Sequence, residues 1–597
     1  MPVVATAGHV DHGKSTLILA LTGRDPDRWE EEKRRGLTID LGFSWMYLPD
    51  GTEVGFVDVP GHERFVKNML AGVEAVDAAL FVVAADEGWM PQSEEHLAVL
   101  DLLGIEHGVV ALTRSDLVDE ETLAIAELEV EERLAGTTLA GAPIIPVSAP
   151  VGRGVDDIAA ALAATIASCA PAAGDRPRMW VDRSFTIGGA GTVVTGTLVG
   201  GTLSVGDTLW LWPGEREARV RSLQTHERSV DRIEPGNRAA ANLAGLDRRA
   251  VERGAMLGRP GQWRTTRRFL AELRTVRSLE EPLGDRGAFH LHVGSGDWSA
   301  RVRLLEGPGL MGRGAALVEV SADLPIATGD RLVIRDVGRR VVVAGGAVLD
   351  PHPPRRGAAM RAAVPLLRAA AGPDAIASAL LEIRGSERLD ALSAESGGGR
   401  PAASLEAGGV AVSASEAERL TAAAVAAVDA FHGRHPLRPG MPKPDLANRL
   451  GIGLDLLAAL VGSSDLLDEH GPVVRAAGFS ADLDEAGRDR WEAARAVLRE
   501  AGAAPPRRTE LGLETEAIHA LIRSGALVDV SADFVYLPET IDDVAARLST
   551  LPDGFTVAAV RDLLAITRRH AVPLLEWLDA TGITRRAGDG RVLRPPA

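Results

Sequence analysis

The stretch Gly8-His9-Val10-Asp11-His12-Gly13-Lys14-Ser15-Thr16 decides the fold of the first third of this chain. Residues 2–7 before it read as a short buried strand, and residues 17–21 after it as an apolar helix. A strand, a G-x-x-x-x-G-K-[ST] loop and a helix, in that order, make a phosphate-binding loop. The glycines let backbone N–H groups wrap a phosphate chain, and the helix N-terminus adds a favourable partial charge. The phosphate-binding set is then Asp11, His12, Gly13, Lys14, Ser15 and Thr16. Lys14 neutralises the β- and γ-phosphates and the Ser15 hydroxyl coordinates Mg²⁺.

The next elements follow at the right places. Residues 53–59 read as a strand ending in Asp58-Val59-Pro60-Gly61-His62-Glu63. An Asp at that strand end can hold Mg²⁺ through water. Gly61 can offer its N–H to a γ-phosphate, and such a hinge flips when the phosphate leaves. His62 can orient the attacking water; taken alone, it reads equally well as a surface-loop histidine. Between the two sites, residues 30–35 are a charge run of the kind that solvates a surface. Gly36-Leu37-Thr38 follows it, and Thr38 can close over the γ-phosphate as a second Mg²⁺ ligand. Residues 109–112 form an apolar strand leading into Thr113-Arg114-Ser115-Asp116. An Asp carboxylate accepts from guanine N1 and N2, which adenine cannot match. Residues 144–147 lead into Ser148-Ala149-Pro150, whose backbone can reach guanine O6.

These motifs, with Met90-Pro-Gln-Ser-Glu-Glu-His96, resemble the G domain of the translational GTPases over residues 1–170. The usual base motif there is Asn-Lys-x-Asp, and here it is Thr-Arg-Ser-Asp. Thr113 can donate one hydrogen bond and the Arg114 stem can lie over the base, so Asp116 is expected to keep its selection of guanine. The resemblance implies GTP and Mg²⁺ as ligands, His62 as the catalytic residue, and Val10 with Leu37 as its apolar gate.

The whole-chain arithmetic fits several soluble domains. The chain has 597 residues, 46% hydrophobic and 25% charged, which suggests about three to six domains. One cysteine, Cys169, excludes an internal disulfide framework and suits a reducing cytoplasm. No apolar run is long enough for a membrane helix, and the N-terminus carries no basic leader of a signal peptide. The net charge of −18 argues against a general nucleic-acid coat, so any RNA contact must be local. Of the 65 Lys and Arg, only Lys14, Lys33, Lys67 and Lys443 are lysines.

Residues 175–352 carry short strands, Gly turns and alternating Val, which predict two antiparallel barrels. The Gly-Gly-Ala-Gly loop at 188–191 is a hairpin turn on its own evidence, with no helix after it to bind phosphate. The first barrel resembles the second domain of elongation factor Tu-like proteins, which helps hold the aminoacylated end of a tRNA. Pro351–Arg356 reads as a linker. Beyond it, Ala/Leu-rich helices end three times in hairpins, at 465–475, 525–537 and 582–593, and helix–turn–helix plus hairpin is a winged helix. The expected architecture is an α/β phosphate-loop GTPase domain (1–173), two antiparallel β-barrels (174–262 and 263–352) and a C-terminal array of winged-helix domains (357–412, 413–480, 481–540 and 541–597). In the first of these, the Ser/Gly-rich stretch 393–409 reads as a flexible wing.

Within the last unit, residues 567–597 hold Arg568, Arg569, Arg585, Arg586, Arg591 and Arg594 against three carboxylates. Arg568-Arg569-His570 at a helix start and Arg585-Arg586 on a wing can bracket a phosphate backbone; a merely solvated Arg face is the other reading. Pro573 is expected to kink this helix or mark its first turns.

This order of domains resembles the SelB type, the family of selenocysteine-specific elongation factors, over essentially the whole chain. Arg35-Gly-Leu-Thr-Ile-Asp-Leu-Gly-Phe43 and Thr567-Arg-Arg-His-Ala-Val-Pro-Leu-Leu-Glu-Trp-Leu-Asp579 carry the likeness at its two ends. The resemblance implies a cytoplasmic monomer with no membrane contact. It would deliver selenocysteyl-tRNA to the ribosome at a recoded UGA codon while its last winged helices hold an mRNA hairpin. A selenol is largely an anion near pH 7 and a serine hydroxyl is neutral, so basic groups in the first barrel would discriminate by charge. The candidates are Arg183, beside Asp182, with His226 and Arg238, unless these are ordinary strand-surface residues. A regulatory GTPase whose winged helices bind protein remains open, as does an initiation-factor-like GTPase, which the winged helices disfavour.

Overall fold

The structure, a computed structural model, describes residues 2–26, 41–59, 76–169, 174–187, 191–226, 228–588 and 590–594. The expected Thr38, Leu37, Gly61 and His62 sites lie outside the described residues, as does Asp589.

The first element, β1 (Val3–Gly8), is buried along its whole length. It pairs in parallel with β3 (Glu53–Asp58) and β4 (Ala78–Ala84). With β2 (Gly42–Tyr47), β5 (Gly108–Thr113) and β6 (Ile144–Pro146) the sheet runs β2-β3-β1-β4-β5-β6, and β2 alone is antiparallel. Helices cover both faces, so the inner strands read as unbroken apolar runs. On one face Val4, Leu80 and Val82 pack with Leu17 and Ile18 of α1 (Lys14–Thr22) and with Ile158 and Leu162 of α4 (Val155–Ala167). On the other, Ala5, Ala7, Phe81 and Val83 pack with Leu97 and Leu100 of α2 (Pro91–Leu103) and Val130 of α3 (Glu120–Leu134). The period-2 alternation of the strands separates these two cores. The phosphate loop leaves the C-terminal end of β1, where open α/β sheets bind ligands.

Both expected barrels close. In the first, Thr208–Trp212, Met256–Gly258, Arg178–Trp180, Gly191–Val199, Arg238–Ala244 and Arg216–Thr225 pair in that order, and the last returns to the first. The second is the closed ring of Thr265–Thr275, Arg313–Pro325, Gly296–Leu304, Phe289–Val293, Arg331–Asp336 and Val342–Asp350. Closure gives each of these ring strands a partner on both sides, so none of them is an open sheet edge.

The chain divides into two compact units, residues 1–404 with 409–413, and residues 405–408 with 414–597. The segment 357–412 runs helix, helix, strand, helix, hairpin, with Ser386–Arg388, Val410–Val412 and Leu405–Ala407 in one three-stranded sheet, the order expected of a winged helix, and most of it falls in the first unit. Its helices Gly357–Ala369 and Pro373–Arg384 place Met360, Val364, Leu367 and Leu380 against Leu270, Leu317 and Leu349 of the second barrel. The expected flexible wing is corrected in part. Residues 393–396 end the helix Leu389–Ser396, and Glu395 there is wholly buried, ion-paired with Arg384 and Arg264 and 3.1 Å from the His352 ring.

The second unit repeats helices and hairpins. Ala414–Arg434, Met441–Pro442, Lys443–Leu450, Leu454–Gly462 and the hairpin Leu467–His470/Val473–Ala476 form one winged helix with a three-stranded sheet. Glu485–Ala501 and Thr515–Arg523 precede the short pair Val528–Asp529/Val535–Tyr536. Pro538–Leu548, Val557–Leu564 and Arg568–Ala580 then lead into the hairpin Thr584–Ala587/Gly590–Leu593, with an added bridge from Phe555 to Arg591. Pro573 sits in the second turn of Arg568–Ala580, and the helix continues beyond it. Among the described residues, no helix is long and apolar enough to cross a membrane.

Candidate functional site

The phosphate loop is held by a small set of buried groups. Gly13, with φ of 83°, is the residue before α1, and Gly8 has φ of 127°. A Cβ on Gly8 would lie 2.1 Å from the Val82 carbonyl oxygen, so only glycine fits there. Lys14 is buried, and its ammonium donates to the carbonyls of Gly8 (3.1 Å) and His9 (2.6 Å).

Ser15 and Asp58 meet as expected. The Ser15 hydroxyl donates to Asp58 Oδ2 at 2.7 Å, and Thr6 donates to Asp58 Oδ1 at 2.6 Å. Thr6 Oγ1 in turn accepts from the Val59 N–H at 3.1 Å. A hydroxyl and a carboxylate, both hard oxygen donors beside a phosphate loop, fit Mg²⁺.

Three histidines surround the loop. His12 is fully buried, its Nδ1 is 3.3 Å from the Val82 carbonyl, and burial lowers its pKa to about 4. Burial also lowers His9. His96, on α2, accepts the Gly8 N–H at Nδ1 (3.0 Å), and burial lowers its pKa to about 3, with the charge of Lys14 adding to the effect. His96 is therefore neutral, with its proton on Nε2. Gln92 accepts the Val10 N–H at 3.2 Å. The sequence marked residues 90–96 as a motif but gave these two side chains no task; their four-residue spacing on one helix face was the available signal.

The guanine residues converge with one change of role. Thr113 is buried and points its hydroxyl at the carbonyls of His12 (2.7 Å) and Val83 (3.2 Å). Its single proton is engaged in bracing the phosphate loop, so the expected donation to the base is corrected. Arg114, at φ of 56°, pairs with Asp86 (3.0 Å) and Glu87 (2.8 Å) and donates to the Asp11 carbonyl. That anchors the side chain along the loop. Asp116 is exposed, and the nearby Ser148 hydroxyl holds its carboxyl below the usual range. Ser148 is buried at the start of the turn Ala149–Val151.

Arg183, His226 and Arg238 line one cavity of about 430 Å³, with Phe43, Trp45, Thr195 and Thr197 on its walls. Arg238 binds Asp182 through two hydrogen bonds of 2.5 and 2.8 Å, and Thr195 donates to the same carboxylate at 2.7 Å. Burial lowers the pKa of His226, against the pull of Glu53 at 3.4 Å. The expectation of His226 as a cation is corrected: near pH 7 it stands neutral and can offer a hydrogen bond only. The charge of the pocket falls to Arg183, since Asp182 balances Arg238.

The C-terminal candidates divide. Arg568, Arg569, Arg585 and Arg586 are exposed. Arg569 also lies 5.2 Å from the Phe534 ring. His570 is corrected: it is buried against Phe534 at 4.8 Å and belongs to the core. Asp579 takes hydrogen bonds from Arg591 (2.9 Å), Arg586 (3.4 Å) and Thr584 (2.7 Å), which reduces the local positive charge.

Comparison with known proteins follows the same division. Residues 1–168 match the family model for the elongation factor Tu GTP binding domain, and 191–258 that for elongation factor Tu domain 2. Residues 268–355 match the beta-barrel domain of selenocysteine-specific elongation factors, and 546–593 the winged helix of elongation factor SelB. The selenocysteine-specific elongation factor of Desulfomicrobium baculatum is 36% identical across all of both chains. That of Escherichia coli K12 is 35% identical over 99% of this chain and 98% of its own. The crystal structure of a bacterial selenocysteine-specific elongation factor, EF-Sec, covers both chains completely, with a TM-score of 0.75 at 28% identity. The SelB of Methanococcus maripaludis in complex with the GTP analogue GppNHp aligns with 59% of this chain and 79% of its own, with a TM-score of 0.52 at 27% identity.

Proposed function

The chain belongs to the family of selenocysteine-specific elongation factors and is a translational GTPase, and from that premise we propose its working cycle. In the GTP form it takes selenocysteyl-tRNA in the cytoplasm. Its C-terminal winged helices hold the mRNA hairpin, and the ribosome at a recoded UGA codon stimulates hydrolysis, which releases the tRNA. The domain boundaries expected from the sequence belong to this proposal, with 357–412 as the first winged helix.

At the nucleotide, the N–H groups of residues 11–16 and the Lys14 ammonium hold the phosphates. Ser15 and Asp58, joined by Thr38, are the residues that would hold Mg²⁺, which supplies neutralisation of charge on the phosphate oxygens. Asp116 selects guanine by accepting from N1 and N2. Gly61 contacts the γ-phosphate, and His62 orients the attacking water behind the gate of Val10 and Leu37. No arginine stands in the phosphate loop itself, so intrinsic hydrolysis is slow and awaits the ribosome.

At the aminoacyl end, Arg183 and the Asp182–Arg238 pair favour a selenolate over a neutral hydroxyl. The observation that carries this reading is the convergence of Arg183, His226 and Arg238 on one cavity. The test is affinity in GTP for one tRNA charged first with selenocysteine and then with serine. A large preference for selenocysteine, reduced in Arg183→Ala far more than binding of the seryl form, supports the pocket. Equal losses refute it, and no binding of either form removes the tRNA reading.

A further inference from the structure

The cavity has room for a selenocysteine side chain, yet its cations are already engaged. The Arg238 guanidinium donates to both oxygens of Asp182, and its Cζ lies over the Phe43 ring, 3.6 Å from the centroid. The Arg183 guanidinium lies 5.2 Å from the same ring and donates to the Leu41 carbonyl. Two guanidinium groups of the barrel thus share one aromatic ring of the GTPase domain. An aromatic face attracts a cation by its quadrupole, and here it stands where an anion would have to approach.

The ring belongs to a strand tied to the nucleotide site. Gly42, next to Phe43, is the register partner of Asp58, and Phe43 is that of Val57. A Cβ on Gly42 would lie 3.1 Å from the Asp58 Cβ and 3.0 Å from Pro26. The start of this strand therefore follows Asp58 closely. Two residues on, on the same face, Trp45 takes Arg24 at 4.0 Å and both Arg228 and His226 at 5.5 Å. Phe43 and Trp45 form an aromatic row against the basic face of the barrel.

We propose that Phe43 is an internal plug for the selenol pocket. While this strand lies on the barrel, the ring and the Leu41 carbonyl occupy Arg238 and Arg183, and withdrawal of the strand frees them for a selenolate. The inference rests on the proposed pocket and adds how the nucleotide site controls it. A ligand at Ser15 and Asp58 acts on the pocket through the Asp58–Gly42 pair and Phe43. A nucleotide can shift this equilibrium only by its different affinity for the two arrangements, and the contact at Asp58 supplies a place for that difference.

The experiment measures the affinity of the full chain for selenocysteyl-tRNA with GDP and with a non-hydrolysable GTP analogue. Wild type, Phe43→Ala, Phe43→Met and Arg183→Ala are compared. Phe43→Ala is expected to tighten binding in GDP at least tenfold while leaving the GTP-form affinity within about threefold, so that the two forms converge. Phe43→Met keeps an apolar side chain without a π face, and is expected to move the same way by less; it serves if the alanine variant fails to fold. Weaker binding in both nucleotide forms would overturn the plug, because the ring would then build the pocket. Unchanged binding in GDP would overturn it as well. Failure of the pocket itself reads differently: Arg183→Ala would leave the preference for selenocysteyl- over seryl-tRNA intact, whatever Phe43→Ala does.

Discussion

His96 supports the phosphate loop without facing the phosphates. Its Nδ1 is the acceptor for the Gly8 N–H at 3.0 Å, in a place with no access to water. His96→Leu fills much of the same space but offers no acceptor. A buried N–H without a partner costs about 1–3 kcal/mol. Gly8 relieves that cost by shifting, and its carbonyl and that of His9 are the two that hold the Lys14 ammonium. The loss should therefore appear in nucleotide affinity, as a roughly 5- to 150-fold weakening. His96→Asn places a carbonyl oxygen close to the position of Nδ1. It should retain nucleotide affinity within a few-fold while losing thermal stability through the space it leaves. The assay is titration with a fluorescent GDP, beside a thermal melt of each variant. A folded His96→Leu protein that binds nucleotide like the wild type would refute the reasoning. So would equal weakening by Leu and Asn, because the hydrogen bond would then be immaterial.

Other outcomes follow from the same geometry. Asp116→Asn puts an amide donor where guanine presents N–H groups, so it should lose GTP and gain xanthosine triphosphate, whose O2 accepts; competition between the two nucleotides measures this. The low pKa values of His12 and His96, about 4 and 3, lie below an unfolded value near 6.5. Their neutral burial thus stabilises the GTPase domain above pH 6.5, and that stability is lost as pH falls. From pH 7 to 5.5 the two together should cost about 2.5 kcal/mol, read by urea denaturation with bound nucleotide as probe, and His96→Asn should remove about half. Asp579→Ala leaves the buried Arg591 unpaired and should destabilise the last winged helix by about 3 kcal/mol, visible as faster hydrogen exchange in residues 557–594. Neutralising Arg568 and Arg585 should weaken RNA binding and lower its salt slope by about 0.7 per lost phosphate contact, whereas His570→Ala should act on stability first.

The sequence by itself determined the GTPase fold, because the phosphate loop must sit between a buried strand and a helix, and the motifs after it each close an apolar run. It also determined the barrels, from short alternating strands, and the hairpins of the winged helices, from turn residues. Such features are local, and local chemistry specifies them. The tertiary structure alone decided where hydroxyls and guanidinium groups point. Thr113 looks from the chain like a base ligand, but the fold brings the His12 carbonyl 2.7 Å from its hydroxyl. His570 looks like an RNA contact until Phe534, 36 residues earlier, packs against it. His226 counts as a base in the sequence, and burial makes it neutral. Phe43 and Arg238 lie 195 residues apart and carry no shared motif, yet two domains fold so that they stack. Burial, charge pairing and contact between distant segments are properties of the assembled chain, and they set what each functional group can do.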